Sequence, residues 1–159
     1  TRVIWWEEDD DDGNFRQILE ETGMSVQKEF EMIALARKMD LFTIVYVATP
    51  DEARAMAEAG ADAIIAHVGT TIGGSIGVTG AACSMDEAVR KTQAVIDAAQ
   101  ALRDDIFYLC HGGPIAAPAD AAEVIKRTDC VGFVGASSLE RMAVEQPLVE
   151  ITRQFKAIR

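Results

Sequence analysis

The sequence predicts an α/β fold in which parallel strands alternate with helices. Three observations predict it. Four short apolar runs, at 41–47, 61–68, 106–110 and 130–134, each lead through polar or glycine-bearing residues into a helical pattern. The glycine-rich stretches all follow strands, whereas the returns from helix to strand are brief, at Gly60-Ala61, Asp104-Asp105 and Thr128-Asp129. At 159 residues and 49% hydrophobic, the chain is sized for one core. A closed (β/α)8 barrel takes roughly 250 residues, so this length leaves either half of a barrel or an open sheet.

The elements follow in order. Trp5-Trp6 precede six consecutive acids, Glu7 to Asp12, a block of like charge expected to stay solvated. Residues 1–12 are therefore expected to be a disordered or misjoined start, and 13–159 the folded domain. Asn14 is placed to cap a helix that Gly23 ends. A second helix starts at Ser25 and runs to about Met39, turning Val26, Phe30, Ile33 and Ala34 inward. The continuous apolar run Leu41 to Val47 reads as a strand covered on both faces. Thr49-Pro50-Asp51-Glu52 supplies an N-cap, an N1 proline and an N3 glutamate for the next helix, which stops at Gly60.

Ala61 to Val68 is the second strand, and the stretch from Gly69 to Gly80 that follows it is glycine-rich. Ser84 and Glu87 form a capping box for a long helix carrying Met85, Ala88, Val89, Val95, Ile96, Ala99 and Leu102 on one stripe. Ile106 to Cys110 is the third strand, Pro118 to Arg127 its helix, and Cys130 to Val134 the fourth strand. Residues 143–158 close the chain as a helix with Pro147 in or near its first turn.

Charge narrows the function. The formal net charge is −11, much of it from the acidic start, and no Lys/Arg cluster exists to replace the counterions around a nucleic acid backbone. Nucleic acid is excluded as a partner on that ground. A small anion is not, because screening limits the reach of distant charge to about 8 Å. Three cysteines without C-x-x-C spacing indicate neither a disulfide framework nor a zinc site. No apolar run approaches the roughly 20 residues that span a bilayer, and no signal peptide is recognisable, so no membrane partner and a cytoplasmic location are expected.

The residue types that carry chemistry gather at the ends of strands. His67 and His111 are the only histidines, each at the C-terminal end of a strand with glycine close behind, a position suited to a general acid or base or to a metal ligand, the alternative being a satisfied core residue. Gly112-Gly113 and Gly135-Ala136-Ser137-Ser138 end two successive strands and would offer backbone N–H groups and hydroxyls to an anion such as phosphate. The alternative is tight turns that pack strand against helix. Arg141 could clamp a carboxylate with Glu140 orienting it, or form a surface ion pair. Thr71, Gly74 and Ser75 lie in the glycine-rich stretch, which would act as a lid over substrate.

These same stretches resemble a known family. Gly13-Asn-Phe-Arg-Gln, Leu19-Glu-Glu-Thr-Gly-Met, Ala57-Glu-Ala-Gly-Ala-Asp, Ala66-His67, Gly74-Ser-Ile-Gly77, His111-Gly-Gly-Pro-Ile and Gly132-Phe-Val-Gly-Ala-Ser-Ser-Leu-Glu-Arg are similar to the phosphoenolpyruvate hydrolase-like TIM-barrel family. That family includes the C-terminal domain of the tomato mosaic virus resistance protein. The resemblance implies a partial TIM barrel, namely the C-terminal half, roughly strands five to eight. It also implies hydrolase, lyase or isomerase chemistry on a small phosphorylated or carboxylate substrate of phosphoenolpyruvate or keto-acid type, with Mg²⁺ the cofactor suggested by analogy. His111, His67 and Glu140 would then be catalytic. Gly112, Gly113, Gly135, Ala136, Ser137, Ser138, Arg141, Thr71, Gly74 and Ser75 would hold substrate. The alternative is a non-catalytic binding or regulatory module. An incomplete barrel further implies a homo-oligomer or a missing N-terminal half-barrel as partner.

Overall fold

The computed structural model describes residues 20–74 and 83–158. Among the described residues the elements run in the order α1 (Val26–Lys38), β1 (Ile44–Val47), α2 (Pro50–Ala59), β2 (Ala63–His67), α3 (Met85–Gln100), β3 (Phe107–His111), α4 (Pro118–Arg127), β4 (Gly132–Phe133), α5 (Ser137–Glu140) and α6 (Met142–Lys156). The four strands form one sheet in sequence order, every neighbouring pair parallel. This is the expected α/β arrangement of a partial TIM-barrel-like fold. The acidic start, most of the helix expected from Asn14, and Ser75 lie outside the described residues.

Local chemistry explains where the helices begin. The Thr49 hydroxyl accepts the Glu52 N–H at 3.2 Å, and the Glu52 carboxylate reaches back to the Ala48 N–H at 2.9 Å. Ser84 caps α3 in the same way, accepting from the Glu87 N–H at 3.2 Å. At α4 the cap position is Ala117, so Asp120 supplies the carboxylate instead, accepting from the N–H groups of Ala116 and Ala117 at 3.1 and 2.8 Å. Pro147 is the sixth residue of α6 rather than a first-turn residue, because the helix begins earlier, at Met142.

Alternation along the strands sorts side chains between two faces. Val45, Val47, Ile64, Ala66, Tyr108 and Cys110 join the core, packing with Ala53, Met56, Ala88, Val95, Ile96 and Val124 from the helices. Ile44, Tyr46, Ile65, His67, Phe107, Leu109 and His111 alternate with them and belong to the opposite face. The run 41–47 was expected to be covered on both faces, and here the structure differs. Only Ile44–Val47 is strand, and Leu41, Phe42 and Ile44 are exposed. The helices of the three strand-helix-strand units pack on one side of the sheet; on the opposite face Phe107 of β3 is 57% exposed, whereas Ile65 and His111 are buried.

The two ends of the sheet differ in chemistry. Below the strands, Asp62 accepts the Thr43 N–H at 2.8 Å and pairs with Arg37 at 2.9 Å, while Arg103 is held by Asp105 and donates to the Ala61 carbonyl at 2.9 Å. These bonds tie helix ends to strand starts. The opposite, C-terminal ends carry both histidines, as barrel enzymes place their chemistry. Among the described residues no helix is long and apolar enough to cross a membrane.

Candidate functional site

Register brings the two histidines together. His67 ends β2 and His111 ends β3, and the two are direct partners across the parallel ladder. Their ring centroids lie 5.1 Å apart at 49°. Tyr46 of β1 completes the group, its ring edge-on to His67 at 5.8 Å and to His111 at 5.1 Å. Three neighbouring strands thus contribute one ring each to the C-terminal rim of the face opposite the core. Tyr46 had no motif around it to attract attention. The signal that would have found it is strand register: Tyr46 pairs with Ile65, two residues before His67, hence on the same face.

Burial sets the electrostatics. It pushes His67 down to about 4, with the neighbouring His111 adding to the effect. His111 is likewise lowered by burial, partly opposed by its bond to the Val134 carbonyl. Both imidazoles are therefore neutral at pH 7. The Tyr46 phenol is raised, first by burial and then by the negative charge of Glu140, which places that carboxylate within electrostatic reach of the cluster. Of the three expected catalytic residues, two touch and the third acts on their neighbour.

The glycine loops do two different things. The carbonyl of His111 accepts from the Val68 N–H at 3.0 Å, the Gly113 N–H donates to the Gly69 carbonyl at 2.6 Å, and the Ile72 N–H donates to the Gly113 carbonyl at 3.1 Å. Gly112 and Gly113 thus sew the loop after β3 to the loop after β2, and the Gly113 N–H is committed to that task. Both have positive φ, and a Cβ on Gly112 would lie 2.1 Å from the Gly69 oxygen. The first part of the expected lid, through Gly74, is accordingly pinned, and Thr71 within it is buried. By contrast, Gly135 leads into Ala136, whose carbonyl accepts the first bonds of α5 from Leu139 and Glu140. Ser137 and Ser138 open that turn half-buried, with no hydrogen bond to either hydroxyl among the described residues.

Arg141 is engaged elsewhere. Its guanidinium pairs with Glu145 at 2.8 Å and donates to the Gly73 carbonyl at 3.1 Å, latching the β2 loop to the start of α6. Gly74 packs against the same ion pair, so close that a Cβ there would overlap it. As to metals, Mg²⁺ calls for oxygen ligands, whereas the cluster offers two imidazoles and a phenol. Among the described residues no group of three or more His, Cys, Asp or Glu side chains is placed to hold a metal ion. The described residues of the cluster therefore do not fit Mg²⁺. Cys110 and Cys130 are buried, both thiols directed at the Gly132 carbonyl, and Cys83 bonds the Val68 carbonyl.

Comparison with known proteins places this geometry in a family. The chain is 55% identical over 148 residues to the ToMV susceptible protein tm-1(GCR26) and to the ToMV resistance protein Tm-1(GCR237), both of Solanum lycopersicum, covering 92% of this chain and 20% of each relative. It is 32% identical over 147 residues to the putative transcriptional regulatory protein y4pA of Sinorhizobium fredii (strain NBRC 101917 / NGR234), with 92% of this chain and 24% of that protein covered. The chain thus spans about a fifth to a quarter of the length of these curated relatives. Among solved structures, nitroalkane oxidase from Streptomyces ansochromogenes is similar with a TM-score of 0.45 and 32% identity, over 69% of this chain and 31% of that one. The family described as phosphoenolpyruvate hydrolase-like matches residues 11–158, nearly the whole sequence, and the chain belongs to that family.

Proposed function

We propose that this domain binds a small anionic acid of phosphoenolpyruvate or keto-acid type and moves a proton on it. The observation that carries the reading is the contact of His67 and His111, two neutral imidazoles at equivalent ends of adjacent strands. A neutral imidazole is a competent base at physiological pH, and positioned proton transfer contributes roughly 10²–10⁴-fold to rate. The Ser137 and Ser138 hydroxyls, one strand further along, are the donors for the carboxylate or phosphate. Family membership supports the same substrate class. Phosphoenolpyruvate or phosphate at a hundred times its Kd should stabilise the chain by about 2.7 kcal/mol, a rise of several degrees in melting temperature. No shift at 10 mM of either, with no turnover of phosphoenolpyruvate, would sink the reading.

A second reading concerns what covers the exposed apolar residues of the sheet and of α6. Ile44 and Phe107 stand exposed on the sheet, and α6 displays Val144, Leu148, Ile151 and Phe155 as one exposed stripe with helical spacing. Single exposed apolar groups need no explanation, but contiguous ones mark contact surfaces. Four parallel strands are half of the eight that close a barrel filled by its own side chains. Hence the face is read as the seat of a second half-barrel, supplied by a longer chain or by a second copy. Light scattering on the 159-residue chain should return a dimer or larger species; a well-behaved monomer would contradict this.

A further inference from the structure

We infer that α6 is a two-fold pairing helix: its exposed stripe of Val144, Leu148, Ile151 and Phe155 packs antiparallel on the same stripe of a second copy of this chain, Val144 against the partner's Phe155 and Leu148 against the partner's Ile151. The pairing rests on the half-barrel reading above only in taking the apolar residues of α6 to be covered; the sheet plays no part in it.

The helix calls for a partner that its own chain does not supply. It runs for 15 residues, a length at which an unpacked helix is marginal in water, and Pro147 inside it lacks a backbone N–H. Among the described elements its main neighbour is the four-residue α5, and it is held at its base, where Arg141 donates to the Gly73 carbonyl and Met142 lies against Gly73. Beyond that base the stripe residues stand 48–69% exposed. Their separations are four, three and four residues, the alternation that lines side chains along one seam between two packed helices.

Three features select a second copy and the direction. A spacing of four, three and four reads the same from either end, so the stripe is complementary to itself when reversed, as a two-fold contact requires. Reversal also sets a small side chain against a large one, Val144 against phenylalanine, at both ends of the seam. Charge points the same way: the acids Glu145 and Glu150 precede the bases Arg153 and Lys156 along α6. Antiparallel packing brings the acidic part of each helix toward the basic part of the other and opposes the two helix dipoles, whereas parallel packing would set Arg153 and Lys156 beside their own counterparts. The area is sufficient for a reversible dimer, because two such helices with their flanks bury on the order of 1,000 Å², toward the low end of specific interfaces.

Sedimentation and cysteine cross-linking of the 159-residue chain test the pairing. At about 100 µM the chain should sediment as a dimer that dissociates on dilution, and Leu148→Glu, which sets two unpaired carboxylates into the seam, should raise the dissociation constant at least about 100-fold. Leu148 is exposed in the single chain, so the substitution spares the core. Phe107→Glu, on the sheet, should leave the dimer as it was. Direction is read by oxidised glutathione, which takes up the two electrons as the disulfide forms. Val144→Cys alone and Phe155→Cys alone should not cross-link, because like positions lie about 16 Å apart along an antiparallel pair, while an equal mixture of the two should. The unsubstituted chain, with its three native cysteines, is the background. Cross-linking of either variant with itself and not in the mixture would mean parallel helices and overturn the inference. A monomer, or a dimer indifferent to Leu148→Glu, would overturn it too. A dimer dissolved by Phe107→Glu alone would refute the α6 pairing and leave the half-barrel reading standing. A monomer that binds vesicles of phosphatidylserine and phosphatidylcholine, and loses them with Leu148→Glu, would assign the stripe to a lipid surface instead.

Discussion

Gly112→Ala is expected to destabilise the chain by about 3 kcal/mol or more, lowering its melting temperature by about 10 °C, and to disorganise the candidate site at the same time. The estimate has two parts. A residue with a side chain held at φ +85° carries about 1–2 kcal/mol of strain in the left-handed region. In addition, the new Cβ would lie 2.1 Å from the Gly69 oxygen, which is backbone and cannot swing aside. The two loops must part, and the 2.6 Å bond from the Gly113 N–H to that oxygen is then lost. Gly23→Ala is the control. Its φ is +76°, yet the nearest atom to a new Cβ is the flexible Lys28 ammonium at 3.5 Å, so only the local strain of about 1 kcal/mol applies. Thermal melts of both variants decide the matter. Equal costs would mean that the loops after β2 and β3 do not meet as described.

That comparison also shows what the sequence disclosed. Gly112 and Gly113 were conspicuous as a pair after a strand, and so was their relation to a strand-end site. Pattern alone could not choose between an anion cradle and a loop junction, since both need a missing Cβ; the choice depends on a carbonyl contributed from Gly69, 43 residues earlier. The helices were legible almost to the residue where a capping side chain marks them, as at Thr49 and Ser84. Strand β4 shrank to two residues because ladder pairing, not apolar character, defines a strand, and Val131 beside it is exposed. His67 and His111 stood out because no other histidine occurs, but their contact required the β2–β3 register. For Arg141 the sequence left an anion clamp oriented by Glu140 and a surface ion pair equally open, and the structure shows an ion pair. The partner, Glu145, sits one helical turn on, a spacing that is common on helices and therefore weak evidence by itself.

Stability should fall by about 2 kcal/mol between pH 7 and pH 5, before most carboxylates begin to titrate. In the unfolded chain both histidines protonate near 6.5. In the folded chain burial holds His67 down to about 4, with His111 lowered for the same reason. Between these values the unfolded state binds more protons, so stability present in full above pH 6.5 is lost as pH falls toward 4. At about 1.4 kcal/mol per pH unit, His67 alone supplies about 2 kcal/mol over the range from 6.5 to 5. Tyr46 and Glu140 are the other titratable groups at this cluster, and the Glu140 charge acts on the Tyr46 phenol. Urea midpoints at pH 7, 6 and 5 measure the slope, and His67→Gln should flatten it by more than half. A midpoint that does not move would mean that the rings are solvated and not buried as neutral groups.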